Sequence, residues 1–255
     1  MRPVEKLVHS RTRVCPNYAL MPLEGFPTSR LPGWVDAQVK VLASPALGAH
    51  FVQYVIDIPK GGWGNFSSDP QIETFYFVIS GMGICMYANG QGQGAADELK
   101  PGSFGLIPPG FKCEFKAAKP TTLIILRKRY ESASGVELFQ PVLGNEAQVA
   151  KDAWADNPHS LLQTLIPDEI QYDMAMNIFT FDPGFGLPVV ETHVMEHGLY
   201  FMQGKGMYFL GDQWMEVEAH DFIWMGPYCP QSFYATGPTP SRYLYYKNVN
   251  RDIAI

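Results

Sequence analysis

Charge is sparse in this chain. Only 17% of its 255 residues are charged, and 19 basic against 25 acidic side chains leave a formal net charge of -6. Nucleic-acid binders carry a basic face. The longest basic cluster here, Arg127-Lys128-Arg129, reads as the solvated end of an apolar strand, so no nucleic-acid partner is expected. Long apolar runs are missing as well. Stretches such as Leu123 to Leu126 fall far below the ~20 residues that span a bilayer, which excludes a membrane helix. Met1 to Leu7 carries no apolar core of a secretory signal. The four cysteines, Cys15, Cys85, Cys113 and Cys229, form no CxxC pair and read as reduced thiols of a cytoplasmic protein.

Apolar and turn-forming residues are abundant: 46% hydrophobic, 16 Phe, 13 Tyr, 24 Gly and 21 Pro. Short β-branched or aromatic segments bounded by turn residues predict strands from about residue 35 onward. The first series is Val35 to Leu42, Phe51 to Ile58, Glu73 to Ile79, Gly83 to Tyr87, Ser103 to Ile107 and Thr121 to Leu126. The second is Tyr172 to Phe181, His197 to Met202, Met207 to Leu210, Asp221 to Met225, Phe233 to Thr236 and Arg242 to Asn248. Between them, about Glu131 to Leu165, Ala, Glu, Asp and Asn dominate, and the stretch reads as a linker with short helical turns.

The two series repeat one another. Tyr76-Phe77-Val78-Ile79-Ser80-Gly81-Met82-Gly83 matches Leu199-Tyr200-Phe201-Met202-Gln203-Gly204-Lys205-Gly206 at a shift of 123. Each is an aromatic strand ending in Gly-x-Gly, with a Pro-terminated strand further on. A repeat of this length implies two copies of one β domain, and a strand-rich unit of ~100 residues closes as a jelly roll or barrel. The expected fold is all-β, two tandem barrels, with domains at 1–150 (including the linker) and 151–255. The Gly-x-Gly turns lack a third glycine and open no helix, so they read as hairpin turns needing positive φ, not a nucleotide loop.

Histidine is scarce, six in all, yet two fall within Glu191-Thr192-His193-Val194-Met195-Glu196-His197. At strand phase Glu191, His193 and His197 share a face while Glu196 points away. One carboxylate and two imidazoles without thiolate suit a divalent metal with nitrogen and oxygen ligands. Gln231, beyond the Pro227 turn, is the leading fourth ligand. Cys229 reads as a small buried side chain and His220 as a surface residue. His9, His50 and His159 have no partner spacing. Shifting back by 123 maps the three ligands onto Ser68, Pro70 and Thr74, and matching Pro109 with Pro227 places Cys113 at the Gln231 position. The first barrel is therefore expected to be metal-free.

The repeat and the metal face resemble the cupins. The ligand order is permuted, with His197 at the usual Glu position and Gln231 at the late His. This arrangement, with the ending Ser241 to Asp252 and the segments Ile72-Glu73-Thr74-Phe75 and Ser44-Pro45-x-Leu47-Gly48-Ala49, is similar to the bicupin family of (S)-ureidoglycine aminohydrolases. The resemblance implies hydrolysis of a small substrate, (S)-ureidoglycine, to (S)-ureidoglycolate and ammonia, with one manganese ion in the C-terminal barrel. It also carries over Tyr208, Tyr243 and Lys247 as substrate-facing, Tyr243 and Lys247 as catalytic, and Glu191 and Gln231 as touching substrate besides the metal. Alternation agrees in part: Tyr243, Tyr245 and Lys247 share a face of the last strand, the outer two ~13 Å apart. A lysine inside a barrel needs a partner, which an anionic substrate supplies; a rim position, with the ammonium in water, is the alternative. Tyr208 reads equally as core filler. Another metal bicupin, a dioxygenase or decarboxylase, and a non-enzymatic ligand-binding bicupin are the rival functions. Barrels with exposed strand edges are also expected to pair as a homo-oligomer.

Overall fold

The computed structural model describes residues 11–252. The readings of Met1 to Leu7 and of His9 lie outside the described residues. Within them there is no α-helix, only strands and three short 3-10 turns, and none of these elements is long enough to cross a membrane as a helix.

The chain forms two compact units. One comprises residues 27–149 and 169–173. Its six-stranded sheet runs, in spatial order, Val142–Asn145, Ser103–Ile107, Ile72–Ser80, Thr121–Arg129, Phe51–Ile58 and Gln38–Ala43. Its five-stranded sheet runs Trp34–Val35, Trp63–Phe66, Lys112–Ala117, Gly83–Ala88 and Gly94–Leu99. Val39, Ile56, Val78, Phe115, Leu123 and Ile125 form the core between them, each such side chain stabilising the fold by roughly 1.5–3 kcal/mol.

The other unit comprises the described residues up to 26, residues 150–168, and residues from 174 onward. Its large sheet runs Arg13–Cys15, Tyr18–Pro22, Asp221–Met225, His197–Gln203, Ser241–Asn248, Met174–Phe181, Asn157–Thr164 and Asp152–Trp154. A three-stranded sheet of Gln213–Glu218, Lys205–Leu210 and Gln231–Ala235 completes it. Both units are antiparallel jelly-roll barrels, and the fold is a bicupin. The repeat holds in register: Phe77 pairs with Phe104 as Tyr200 pairs with Phe222.

Several expectations need correction. The expected first domain ended at residue 150 and included the N-terminus, but Tyr18–Pro22 pairs with Asp221–Met225 in the second barrel. Arg11 reinforces this, reaching Asp221 Oδ1 at 2.9 Å and Glu218 Oε1 at 2.8 Å. Tyr18–Pro22 is buried on both faces, so it shows no alternation to read. From Val142 onward the supposed linker is largely sheet: Val142–Asn145 pairs with Ser103–Ile107, and Asn157–Thr164 pairs with Met174–Phe181. Its one 3-10 turn is Glu146–Gln148.

The basic cluster is not a solvated strand end either. Arg129 is exposed, but Arg127 stacks 4.2 Å over the Phe66 ring. Lys128 is buried against Glu73 and Asp173. The Gly-x-Gly turns work by two mechanisms. Gly81 and Gly204 have φ of 96° and 80°, as a tight turn demands. At Gly83 a Cβ would sit 2.3 Å from the Lys116 carbonyl oxygen, and at Gly206 2.4 Å from the Phe233 ring, so close approach excludes any side chain there.

Candidate active site

The last strand of the second barrel sets the site's frame. In its register with His197–Gln203, Lys247 lies opposite His197, Tyr245 opposite Leu199 and Tyr243 opposite Phe201. Alternation turns all six toward the interior, as the sequence predicted for Tyr243, Tyr245 and Lys247. All but Phe201 border a cavity of about 470 Å³. The expected residues Glu191, His193, His197, Tyr208, Gln231, Tyr243 and Lys247 all line it.

His193 arrives by a different route from the one its spacing implied. Residues 187–196 form no continuous strand; they are laced to the edge of Gln231–Ala235 by single contacts. Glu191 N–H donates to the Gln231 carbonyl at 2.8 Å and Gln231 N–H to the Glu191 carbonyl at 2.9 Å. Tyr228 N–H donates to the His193 carbonyl at 2.7 Å. This irregular segment, not strand phase, swings His193 over His197.

The two imidazoles meet with Nε2 atoms 3.2 Å apart, and the Gln231 amide lies 3.0 Å from His193 Nε2. His197 Nδ1–H donates to the Tyr246 carbonyl at 3.0 Å, which fixes the tautomer and leaves a lone pair on Nε2. Burial, with the nearby charges of His193 and Lys247, lowers the His197 pKa to about 3. His193 Nδ1 has no partner among the described residues. Two imidazole nitrogens and an amide thus face one point, and a half-turn of the Gln231 amide presents its oxygen there. Such a set is satisfied by a shared cation.

Glu191 does not join them. Among the described residues, no three His, Cys, Asp or Glu side chains gather at one point. The Glu191 carboxylate lines the same cavity and its charge acts on the hydroxyls of Tyr208, Tyr243 and Tyr245. A cation shared by the imidazoles would draw the carboxylate toward them. Tyr208 donates to Gln231 Oε1 at 3.4 Å and is hydrogen-bonded to Tyr243. Its hydroxyl therefore braces the amide besides facing the cavity, more than core filler does. Burial raises the pKa of both tyrosines, so both hydroxyls are protonated. Lys247 has no carboxylate in ion-pair range among the described residues.

The first barrel carries a different set at the matching positions. Cys113 pairs with Tyr87 as Gln231 pairs with Leu210. The Cys113 thiol is buried, which pushes its pKa up to about 12. Ser68 donates to the Gly110 carbonyl at 2.7 Å, and Thr74 accepts from Arg127 Nε at 3.3 Å.

Sequence comparison follows the same lines. No family model matches the chain. The chain is 33% identical to the (S)-ureidoglycine aminohydrolase of Arabidopsis thaliana, over 92% of its length and 77% of that protein. It is 32% identical to the enzyme of the same name from Escherichia coli K12, over 94% of this chain and 91% of that one. The chain belongs to the (S)-ureidoglycine aminohydrolase family.

Solved structures agree. Protein Ylba from E. coli superposes with a TM-score of 0.84 at 31% identity, covering 98% of this chain and 99% of that one. A glyoxylate induced protein from Pseudomonas aeruginosa gives 0.85 at 33% identity, covering 96% and 93%. Oxalate decarboxylase from Bacillus subtilis gives 0.73 at 9% identity, covering 99% of this chain and 85% of that one; it shares the fold alone.

Two further wall residues escaped assignment from the sequence. Trp154 lies in the stretch read as a linker, yet it lines the cavity and packs edge-on against Phe179, ring centres 5.4 Å apart. Tyr245 was placed on the right face by alternation but given no role. It too lines the cavity.

Proposed function

We propose that the chain hydrolyses (S)-ureidoglycine to (S)-ureidoglycolate and ammonia, with one manganese ion per chain in the C-terminal barrel. The observation that carries this reading is the convergence of His193, His197 and Gln231 in one cavity that Lys247 also lines. Those three, with Glu191 rotated in from the same wall, would hold the ion. The donor set fits: nitrogen and oxygen ligands, no thiolate, and one imidazole locked with its lone pair inward. Bound there, manganese supplies Lewis-acid polarisation and a template for the small carboxylate-bearing substrate.

The remaining work falls to the chain's own side chains. Lys247 pairs the substrate carboxylate and holds it beside His197, its neighbour on the adjacent strand. Tyr243, kept protonated by burial and hydrogen-bonded to Tyr208, faces the other end of the ligand. After the half-turn that points the Gln231 oxygen at the ion, the Tyr208 hydroxyl would lie beside the amide N–H and could accept from it. Phe179, Leu187, Leu199 and Met225 line the same cavity with apolar surface. Two contacts separated along one strand fix which face of the reacting carbon is presented.

Ammonia release from freshly prepared ureidoglycine tests the reaction, and Lys247→Met tests the positioning. Losing one charge-assisted hydrogen bond in a dry site costs about 1.5–3 kcal/mol, so kcat/KM falls roughly ten- to a hundred-fold with metal content unchanged. Unaltered kinetics would make Lys247 a rim residue. Gln231→Ala removes a neutral ligand, so metal is held more weakly and added manganese restores part of the activity.

The surface of the first barrel supports the expected homo-oligomer. Met82, Ile84 and Met86, with Trp63, are 37%, 36%, 37% and 39% exposed. Ile84 and Trp63 flank Lys116 in adjacent strands. A second copy covering this face would bury it, so sedimentation at micromolar concentration is expected to give a dimer or larger. A monomer contradicts it.

A further inference from the structure

Resting on the reaction proposed above, we infer that Tyr245 is a further substrate-binding residue. Its hydroxyl, oriented by the buried amide of Asn177, donates a hydrogen bond to an oxygen of the anionic substrate lying between Tyr243 and Lys247.

The placement comes from register. Asn177 pairs directly with Tyr245 across the sheet, on the strand that also sends Phe179 and Phe181 inward. A polar residue in that row is out of keeping with its apolar neighbours. Asn177 is only 4% exposed, and its Nδ2 donates to the Tyr245 hydroxyl at 3.2 Å while its own Oδ1 has no partner among the described residues. Burying an amide with one end unsatisfied is unfavourable, so the amide is held for the contact it does make.

That contact decides where the phenol proton goes. The Tyr245 oxygen accepts from Asn177, and no acceptor for its own proton is found among the described residues. The ring is fixed on several sides: stacked on Phe179 at 5.5 Å and 9°, 5.8 Å from the His197 ring and 5.9 Å from Tyr243. With the ring locked and one side of the oxygen taken, the proton is left for an occupant of the cavity that Tyr245 lines. Burial raises the pKa of the phenol, so it acts as a donor and not as a base. Tyr245 lies two residues from Tyr243 and two from Lys247, ~6.6 Å from each along the strand. It thus addresses the middle of a ligand whose ends those residues hold. Asn177 touches no ligand itself and is a positioning residue.

The test uses the manganese-loaded full chain, with kcat and KM for ammonia release from ureidoglycine and Kd for ureidoglycolate by calorimetry. Tyr245→Phe keeps the ring and its stacking but removes the donor. It is expected to lose about ten- to a hundred-fold in kcat/KM and to weaken ureidoglycolate to a similar degree, with metal content at the parent's value and a lower thermal midpoint, because the buried Asn177 amide loses its acceptor. Asn177→Leu is expected to lose less, and to add nothing when combined with Tyr245→Phe, because both act through one hydroxyl. An active parent whose Tyr245→Phe variant keeps the parent kcat/KM and Kd overturns the inference, as does full additivity of the two substitutions. A parent that releases no ammonia from ureidoglycine overturns the proposed reaction instead, so the two failures are distinct.

Discussion

Replacing His193 and His197 together by alanine is expected to remove manganese from the protein and with it the hydrolysis of ureidoglycine. The rate should fall on the order of 10²–10³-fold or more, the scale seen when a single electrostatic stabiliser of a reacting centre is lost. The imidazole nitrogens stand 3.2 Å apart, and His197 is held by the Tyr246 carbonyl with its free lone pair facing His193. Neither contact belongs to the apolar core of Phe181, Phe201, Phe233 and Ile223 beneath. The double variant should therefore stay folded, losing only the hydrogen bond to Tyr246 and some packing. Metal analysis with circular dichroism reads both quantities. A folded variant that retains one manganese per chain would take the imidazoles out of the ligand set.

The second large effect lies in the first barrel and concerns stability alone. Lys128, Glu73 and Asp173 have side chains 5%, 0% and 1% exposed. The ammonium bonds Asp173 and lies 3.3 Å from Glu73 Oε1, while Asp173 also accepts the Glu131 N–H at 2.7 Å. Lys128→Met leaves two acidic groups buried without their cation, and breaking such a pair costs about 3–5 kcal/mol. Arg129→Ala, one residue away and exposed, should stay within about 0.5 kcal/mol of the parent. Urea midpoints of the two variants make the comparison, and equal shifts would contradict it. Burial raises the Glu73 pKa well above its ordinary value despite Lys128 nearby. Between those two values the folded chain holds a proton that the unfolded chain has released, so this group's contribution to stability declines as pH rises through the window. Glu73→Gln keeps the neutral form and flattens the decline.

The repeat was the most legible feature of the sequence, because the aromatic strands and Gly-x-Gly turns of both copies serve the same backbone geometry. Tyr243, Tyr245 and Lys247 were placed on one face correctly, since Ser241–Asn248 is a regular strand and alternation applies. His193 was brought to His197 for the wrong reason: residues 187–196 are irregular, and hydrogen bonds to Gln231 and Tyr228 set their course. Tyr18–Pro22 and Asn157–Thr164 were missed because their signal is tertiary. One is buried on both faces, and the other begins with polar residues and gains its place by pairing with Met174–Phe181. Lys128 was misread for a similar reason. Its partner Asp173 lies 45 residues away, and nothing in a local window announces a buried countercharge.

Ammonia release from freshly prepared ureidoglycine, measured on chelator-stripped protein and again after manganese is restored, tests the central claim most directly. Negligible release from the stripped protein, recovery with about one manganese per chain, and (S)-ureidoglycolate as the product are expected. Equal release before and after stripping, or a remanganated protein that leaves ureidoglycine to decay at its spontaneous rate, would contradict it.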